Sequence, residues 1–191
     1  MKHVFVEDKT FREVDFEVVR LEKGEYEGCS FVNCNFAQTD LSDFIFANCV
    51  FTGCNLSFVK LMKTTIRDCK FSECKMLAVN FESCNPFGLS LGFENCNLGN
   101  ASFFGIKIKS TRFSNSKLTE VDFTGCDLTG SIFDNCDFSG ATFENTNLEK
   151  ADLRTSANYS IDPEINRIKK AKFALPAVLG LLSKYNIVIE N

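Results

Sequence analysis

A large apolar residue recurs at every fifth position through most of the chain. The series runs without a miss from Phe11 to Phe81 and again from Phe93 to Leu153. It explains why the sequence has 21 Phe and no Trp, because one structural position is filled many times. The interval from Phe81 to Phe93 is two residues longer than two repeats, so the register slips once, within residues 82–92. Such self-similarity predicts a repeat architecture.

A second series lies two residues before the first and holds small or β-branched residues, among them Cys29, Cys34 and Thr39. The other positions of each repeat are mostly Asn, Asp, Glu, Ser, Thr, Lys and Gly. A period of five fits neither a helix nor a strand, but residues two apart in an extended chain share a face. A chain that points two residues inward and then turns, every five residues, must wind into a solenoid.

Individual repeats such as CDLTG, CDFSG, TNLEK and ADLRT resemble the units of the pentapeptide-repeat family, and the resemblance covers residues 4–155. It implies an all-β solenoid, a right-handed quadrilateral β-helix of about seven coils with four repeats per coil. Residues twenty apart then stack, so that Phe11, Phe31, Phe51 and Phe71 form one ladder and Phe103, Phe123 and Phe143 another. We expect a β-helix over residues 1–155 with a bulge or kink at 82–92, where Pro86 cannot donate a ladder hydrogen bond.

The ten cysteines are predicted to be buried structural residues, because they occupy a position that also takes Ala, Ser, Thr and Val. Zinc sites use Cys two to four apart, commonly with His, and the single His3 lies far from the cysteine pairs. No Ser-His or Cys-His pairing is available either. We therefore expect no catalytic residue, no metal and no cofactor. The charged N-terminus is not a secretory signal and no apolar run spans a membrane, which favours a cytoplasmic protein with reduced thiols.

Residues 156–191 lose the period and are predicted to form a short helical cap that also mediates dimerisation. Helical spacing over 176–185 gives two apolar stripes, and a brief strand is expected at 187–189. One stripe, expected to cover the last coil, contains Leu175, Val178, Leu179 and Leu182. The other, expected to be exposed and to form a twofold homodimer, contains Ala174, Ala177, Leu181 and Tyr185. The alternative is that both stripes are buried within one chain.

Charge is distributed unevenly along a chain whose net charge is only −4. Two basic bands, over residues 60–75 and 107–117, precede an acidic belt over 118–152. The belt acids all lie outside the inward positions: Glu120, Asp122, Asp127, Asp134, Asp137, Glu144, Glu149 and Asp152. A narrow negative rod resembles duplex DNA in its electrostatic field.

The tail SANYSIDPEINRIKKAKFALPAVLGLLSKYNI is similar to the stretch that closes albicidin-resistance members of the family, and CKMLAVNF before the slip strengthens the likeness. This resemblance to the Qnr and albicidin-resistance subgroup implies a DNA-mimicking homodimer that binds DNA gyrase and protects it from inhibitors. It also implies no direct contact with nucleic acid or with membranes. The alternative is a structural or adaptor rod with an unrelated protein partner, in which the surface charges merely keep the protein soluble.

Overall fold

The computed structural model describes residues 4–188 as a parallel β-solenoid of about seven turns. Its eleven strands are β1 Val4–Glu7, β2 Thr10–Arg12, β3 Gly24–Glu27, β4 Ser30–Val32, β5 Ile45–Ala47, β6 Val50–Thr52, β7 Thr65–Arg67, β8 Cys69–Ser72, β9 Leu91–Glu94, β10 Arg112–Ser114 and β11 Ile132–Asp134. Three 3₁₀ segments occupy Phe81–Ser83, Ala177–Leu181 and Ser183–Tyr185. The sequence-based prediction of an all-β solenoid is confirmed.

Every coil has four faces, which we number by the inward residue of the first coil: face 1 holds Phe11, face 2 Phe16, face 3 Leu21 and face 4 Tyr26. Face 1 is a sheet of the order β11-β10-β9-β8-β6-β4-β2, and face 4 begins with the sheet β1-β3-β5-β7. On faces 2 and 3 the coils are joined by single parallel bridges, such as Asp15↔Asn35 and Asp40↔Lys60. The pairing partners are twenty residues apart, as the stacking of four five-residue repeats requires, except across the slip, where Lys75↔Asn97 and Asn80↔Ser102 are twenty-two apart.

The corners between faces are tight turns in which the second residue after most inward side chains has a positive φ. Asn33 has φ 54° and Gly53 has φ 63°. Asn, Asp and Gly tolerate this left-handed conformation better than other residues. Side chains just before the inward residue support the turn, since the Asp122 Oδ1 accepts a hydrogen bond from the Thr124 amide at 2.8 Å. These requirements explain the polar composition of the outward positions.

Stacked aromatic rings fill the core. The face 1 ladder runs from Phe11 through Phe31, Phe51, Phe71, Phe93 and Phe113 to Phe133, with successive ring centroids 4.8–5.5 Å apart. A second ladder on face 3 joins Phe81, Phe103, Phe123 and Phe143. Both predicted ladders are therefore present, and the structure extends each by further rings. The Lys9 ammonium lies 4.9 Å from the centroid of Phe11 and covers the first ring.

The cysteine positions serve the backbone as well as the core. The Cys49 thiol donates to the carbonyl of Tyr26 at 3.2 Å, and the Cys54 thiol donates to the carbonyl of Phe31 at 3.3 Å. Thr64 makes the equivalent bond to Leu41 at 2.7 Å. All ten thiols are free and buried, as predicted. A small donor that reaches an inward carbonyl of the preceding coil explains why Cys, Ser and Thr interchange at this position.

The register slip is a bulge confined to face 4. Asn85 still pairs with Thr65 at a spacing of twenty residues, whereas Leu91 pairs with Cys69 at twenty-two. The extra residues lie between Asn85 and Leu91, where Phe87 is 82% exposed and Leu89 packs against the core. Faces 1, 2 and 3 keep their pairing across this coil. The expected bulge is thus confirmed and assigned to one face.

The C-terminal segment differs from the prediction in several respects. Single bridges such as Asp152↔Lys172 continue the ladder beyond the expected boundary at residue 155. Beyond them, the expected helix is replaced by the 3₁₀ segments Ala177–Leu181 and Ser183–Tyr185. Residues 187–188 form no strand, and Ile189 lies outside the described residues.

The two apolar stripes also do not lie as expected, although Tyr185 is exposed and Val178 is half-buried. Ala177 and Leu181, expected to face outward, pack against the core. Leu175, Leu179 and Leu182, expected to cover the last coil, are 83%, 42% and 38% exposed. The physical reason is that a 3₁₀ segment turns every three residues instead of every 3.6, so a stripe chosen by α-helical spacing drifts around the segment.

Candidate partner-binding surface

The acidic belt encircles the rod, with two members assigned to each face by the twenty-residue register. Asp134 and Asp152 belong to face 1, and Glu120 and Asp137 to face 2. Asp122 and Glu144 belong to face 3, and Asp127 and Glu149 to face 4. The eight carboxylates therefore form a ring around the last coils, and their surroundings decide which of them present a negative charge to a partner.

Cations neutralise three of the eight belt acids. Lys109 lies 3.2 Å from Asp127, and Arg167 lies 2.8 Å from Glu149. Asp152 is 2.8 Å from Arg154 and 3.7 Å from Lys172. Hydrogen bonds from Arg154 lower the pKa of Asp152 to about 2. The charge of each of these three acids is balanced locally by a neighbouring cation.

Two further belt acids are held by neutral donors. Asp134 accepts a hydrogen bond from the Thr155 hydroxyl at 3.0 Å. Asp137 accepts from Asn158 Nδ2 at 2.8 Å and from the Ser139 hydroxyl at 2.7 Å. The bond from Asn158 is the main reason that the pKa of Asp137 is lowered from its ordinary value. Both carboxylates are fixed in orientation by these bonds.

The remaining belt acids, Glu120, Asp122 and Glu144, lie together on face 3 or at its corner. Over residues 4–188 no cation lies within ion-pair distance of any of them. The face 3 repeats 79–83, 101–105, 121–125 and 141–145 contain Glu82, Asp122 and Glu144 but no Lys or Arg. Face 3 is consequently the one face of the C-terminal half of the rod on which acids occur without cations.

An aromatic side chain lies on this acidic face. Phe104 is 54% exposed and follows Glu82 in the outward column that continues to Thr124 and Glu144. Its neighbour Phe103 points inward and belongs to the face 3 ring ladder. Sequence reasoning missed Phe104, because its five-residue series assigned the adjacent Phe103 to the core and did not compare outward residues twenty positions apart.

Face 4 of the same coils carries the opposite charge. Its repeats 106–110, 126–130, 146–150 and 166–170 contain two acids, Asp127 and Glu149, both already paired with cations. The same repeats contain six cations: Lys107, Lys109, Lys150, Arg167, Lys169 and Lys170. The C-terminal half of the rod is therefore polarised, with an acidic face next to a basic one.

The four residues predicted to form a dimer contact do not share an exposed face. Ala174, Ala177 and Leu181 are partly buried, while Tyr185 is 51% exposed and donates its hydroxyl to Glu164 at 3.1 Å. The Lys184 ammonium forms salt bridges with Asp162 at 2.8 Å and with Glu164 at 2.6 Å, and these connect the C-terminal segment to the last coil. The exposed aliphatic residues of this segment are instead Leu175, Leu179, Leu182, Ile187 and Val188.

The described residues provide no candidate metal centre, because no group of three or more His, Cys, Asp and Glu side chains among them is arranged to hold an ion. Burial raises the pKa of the Cys84 thiol to about 12 and that of Cys136 to about 11. These thiols are therefore protonated at neutral pH and are poor nucleophiles. Within residues 4–188, no helix has the length and apolar character needed to cross a membrane.

Comparison with solved structures supports this fold. A trypsin-treated variant of QnrB1, a plasmid-mediated fluoroquinolone resistance protein, is 17% identical, with a TM-score of 0.63 and complete coverage of both chains. Full-length QnrB1 is 18% identical and has a TM-score of 0.46, with 96% of this chain and 100% of that chain covered. HetL from the cyanobacterium Nostoc sp. strain PCC 7120, a pentapeptide repeat protein involved in heterocyst differentiation regulation, is 15% identical, with a TM-score of 0.41 over 89% of this chain and 87% of that chain.

At these identities the likeness establishes the fold alone, and it does so through the first of the three structures. A search of curated protein sequences gives no significant match. The sequence profile described as "Pentapeptide repeat region" matches residues 25–91 and 77–153, which together are more than half of the chain. The five-residue period, the four-faced coils and this match agree, and the chain belongs to the pentapeptide-repeat family.

Proposed function

We propose that this protein is a non-enzymatic DNA mimic that binds DNA gyrase through face 3 and protects the enzyme from inhibitors. The observation that carries the proposal is the uncompensated charge of Glu120, Asp122 and Glu144 on one side of the rod. The fold shared with QnrB1, a fluoroquinolone resistance protein, supports the choice of inhibitor class.

Electrostatics favours face 3 over the belt as a whole. Duplex DNA presents regularly spaced phosphates that attract basic protein surfaces before any base is read. The column Glu82, Phe104, Thr124 and Glu144 spans three coil spacings, or about 14 Å at roughly 4.8 Å per coil. Acids that already pair with Lys109, Arg154 or Arg167 contribute little to the field at a distance. Face 3 is thus the surface best suited to replace a short length of DNA backbone.

A homodimer would extend this surface. We place the contact at Leu175, Leu179 and Leu182, which are exposed apolar side chains in and beside the 3₁₀ segment Ala177–Leu181; Ile187 and Val188, also exposed, extend the same apolar segment. Covering such a cluster removes apolar surface from water, and a twofold contact lets each copy cover the other. Two rods joined at their C-terminal ends bring two acidic face 3 surfaces to either side of the twofold axis.

The proposal is tested by gyrase supercoiling with increasing amounts of the protein, with and without a fluoroquinolone. The test variant is Glu120→Gln/Asp122→Asn/Glu144→Gln, in which the amide that replaces the Asp122 carboxylate retains an oxygen to accept from Thr124. The matched control, Asp134→Asn/Glu149→Gln/Asp152→Asn, also removes three charges but from faces 1 and 4. The original protein and the control should restore supercoiling, whereas the test variant should need at least about tenfold more protein.

Two results would contradict the proposal. Absence of any effect of the original protein at micromolar concentration would exclude gyrase as the partner. Equal loss of protection in both triple variants would exclude face 3 as the specific surface. An adaptor role with an unrelated partner is the second candidate, and the basic face 4 favours it, since a DNA mimic has no use for Lys107, Lys150 or Lys170.

A further inference from the structure

The bulge on face 4 leaves an opening in the hydrogen-bond ladder. In the other coils of this face the residue before the inward side chain donates to the preceding coil, as the Asp127 amide donates to Ile106 at 2.8 Å and the Asn147 amide donates to Cys126 at 2.9 Å. Lys107 occupies the equivalent position, but its amide has no such bond among the described residues. The sheet that begins face 4 accordingly ends at β7.

Lys109 continues this unpaired stretch. At equivalent positions an Asp or Asn side chain accepts from the amide two residues later, as Asp127 does from Thr129 at 3.1 Å. Lys107 has no acceptor to offer, and no bond to the Lys109 amide is found within residues 4–188. Two backbone amides without a hydrogen bond partner therefore belong to two exposed lysines, of which Lys109 also pairs with Asp127. Such donors and charges suit phosphate oxygens.

A row of cations extends from this opening toward the C-terminus. The register Lys107↔Asp127↔Asn147↔Arg167 places Lys150, Lys169 and Lys170 on the same face in the following coils. The acids of the row, Asp127 and Glu149, are already paired with Lys109 and Arg167. The remaining lysines form an extended positive track about three coil spacings long, roughly 14 Å.

Phe87 projects from the bulge at the N-terminal end of this track. Its side chain is 82% exposed and directly follows Pro86 within the bulge. Arg67 lies beside the bulge, since its Cδ would be 3.3 Å from a Cβ added at Gly88. Aromatic platforms beside a positive groove are the common device by which proteins hold single-stranded nucleic acid, because every base offers a flat face for stacking. A duplex would leave this ring without a base to contact.

We propose that face 4, from Phe87 to Lys170, binds single-stranded nucleic acid, with Phe87 stacking on a base and the lysines contacting phosphates. The proposal departs from the sequence-based expectation of no direct contact with nucleic acid, and it is independent of gyrase. Acidic face 3 and basic face 4 then bind different partners on adjacent sides of the rod.

The experiment measures fluorescence anisotropy of a labelled 30-nucleotide oligo-dT at about 50 mM and 200 mM salt. The original protein should bind, and its affinity should fall steeply with salt, with a log–log slope of roughly −3 for about four phosphate contacts. Phe87→Ala should weaken binding by about 5- to 100-fold. Its matched control is Phe58→Ala, since Phe58 is 56% exposed on another face.

Lys107→Glu/Lys170→Glu should weaken binding at least about 30-fold, whereas Lys60→Glu/Lys63→Glu on face 3 should leave it within about threefold. Unchanged circular dichroism and melting temperature establish that each variant is folded. No binding at about 50 mM salt overturns the proposal. Equal or tighter binding of a 30-base-pair duplex, insensitivity to Phe87→Ala, or equal displacement by poly-glutamate overturns the single-strand assignment and indicates a general polyanion or acidic-protein surface.

Discussion

The rings of Phe71 and Phe93 stack with their centroids 5.5 Å apart and their planes 17° from parallel, although twenty-two residues separate them along the chain. The two extra residues are absorbed on face 4, so the face 1 ladder passes the slip without a gap. The core is therefore continuous from Phe11 to Phe133, and the two halves of the rod stabilise each other through this pair.

Replacing Phe93 by Ala should lower the free energy of unfolding by about 3–5 kcal/mol, because it opens a cavity between Phe71 and Phe113. Urea denaturation followed by circular dichroism measures the effect. Phe87→Ala is the control, since the Phe87 side chain is 82% exposed and its loss should change stability by no more than about 0.5 kcal/mol. Similar losses in the two variants would contradict a ladder that joins the halves.

Gly180 should be essential for docking the C-terminal segment. A Cβ at this position would collide with the Tyr159 carbonyl oxygen, and the Gly180 carbonyl accepts from the Ile161 amide at 3.0 Å. Gly180→Ala should cost about 1–3 kcal/mol and release the segment. Limited trypsin digestion should then cleave after Lys184 faster than in the original protein.

Gly92→Ala is the matched control for Gly180→Ala. An added Cβ there would meet only the Arg112 carbonyl oxygen at 3.9 Å, which is ordinary contact. Its digestion pattern should match that of the original protein. Unaltered cleavage of Gly180→Ala would mean that the segment is not held at this point.

The protein should lose stability above about pH 9. Burial raises the pKa of Cys84 to about 12 and that of Cys136 to about 11, from an ordinary value of 9.0. Between pH 9 and the raised pKa of each thiol, the unfolded chain releases a thiol proton that the folded chain retains. Each pH unit in that range therefore lowers the free energy of unfolding by about 1.4 kcal/mol per thiol. Stability is fully present below pH 9. Urea midpoints from pH 7 to 10.5 measure the slope. Cys84→Ala/Cys136→Ser should reduce it, while other thiols whose pKa is raised by burial, such as Cys126, retain part of it.

The dimer contact should depend on the exposed leucines and not on the residues chosen by helical spacing. Leu175→Asp/Leu179→Asp should convert a dimer to a monomer in light scattering, because it places charge in an apolar contact. Ala174→Ser, at a partly buried position, should leave the mass unchanged. A monomeric original protein would refute the dimer, and a dimeric double variant would refute the location.

Much of this architecture follows from the sequence, because the five-residue period reports directly which side chains point inward. The ladder residues Phe31, Phe51 and Phe71 and the cysteine positions are all identified correctly in this way. The bulge is predicted from Pro86 and the broken period. Its confinement to face 4 follows from the pairing of Asn85 with Thr65 and of Leu91 with Cys69, which only the structure provides.

Surface properties are harder to predict, since they depend on residues that are distant in sequence. The acidic belt forms one block in the sequence from Glu120 to Asp152, yet its members differ according to whether Lys109, Arg154 or Arg167 happens to lie beside them. The prediction for the tail is wrong because a short apolar stretch after Pro176 fits α-helical and 3₁₀ spacing almost equally well.

The interruption of face 4 has a mechanical consequence. Faces 1, 2 and 3 are connected by backbone hydrogen bonds through the slip. On face 4 the bulge is bonded to the preceding coil, as the Asn85 amide donates to Thr64, but among the described residues the Lys107 and Lys109 amides donate no backbone hydrogen bond to the bulge. A bending force that opens face 4 therefore meets less resistance than one that opens any other side. The molecule has a preferred bending direction, and the two halves can change their mutual angle in one plane while the aromatic ladder on face 1 stays intact.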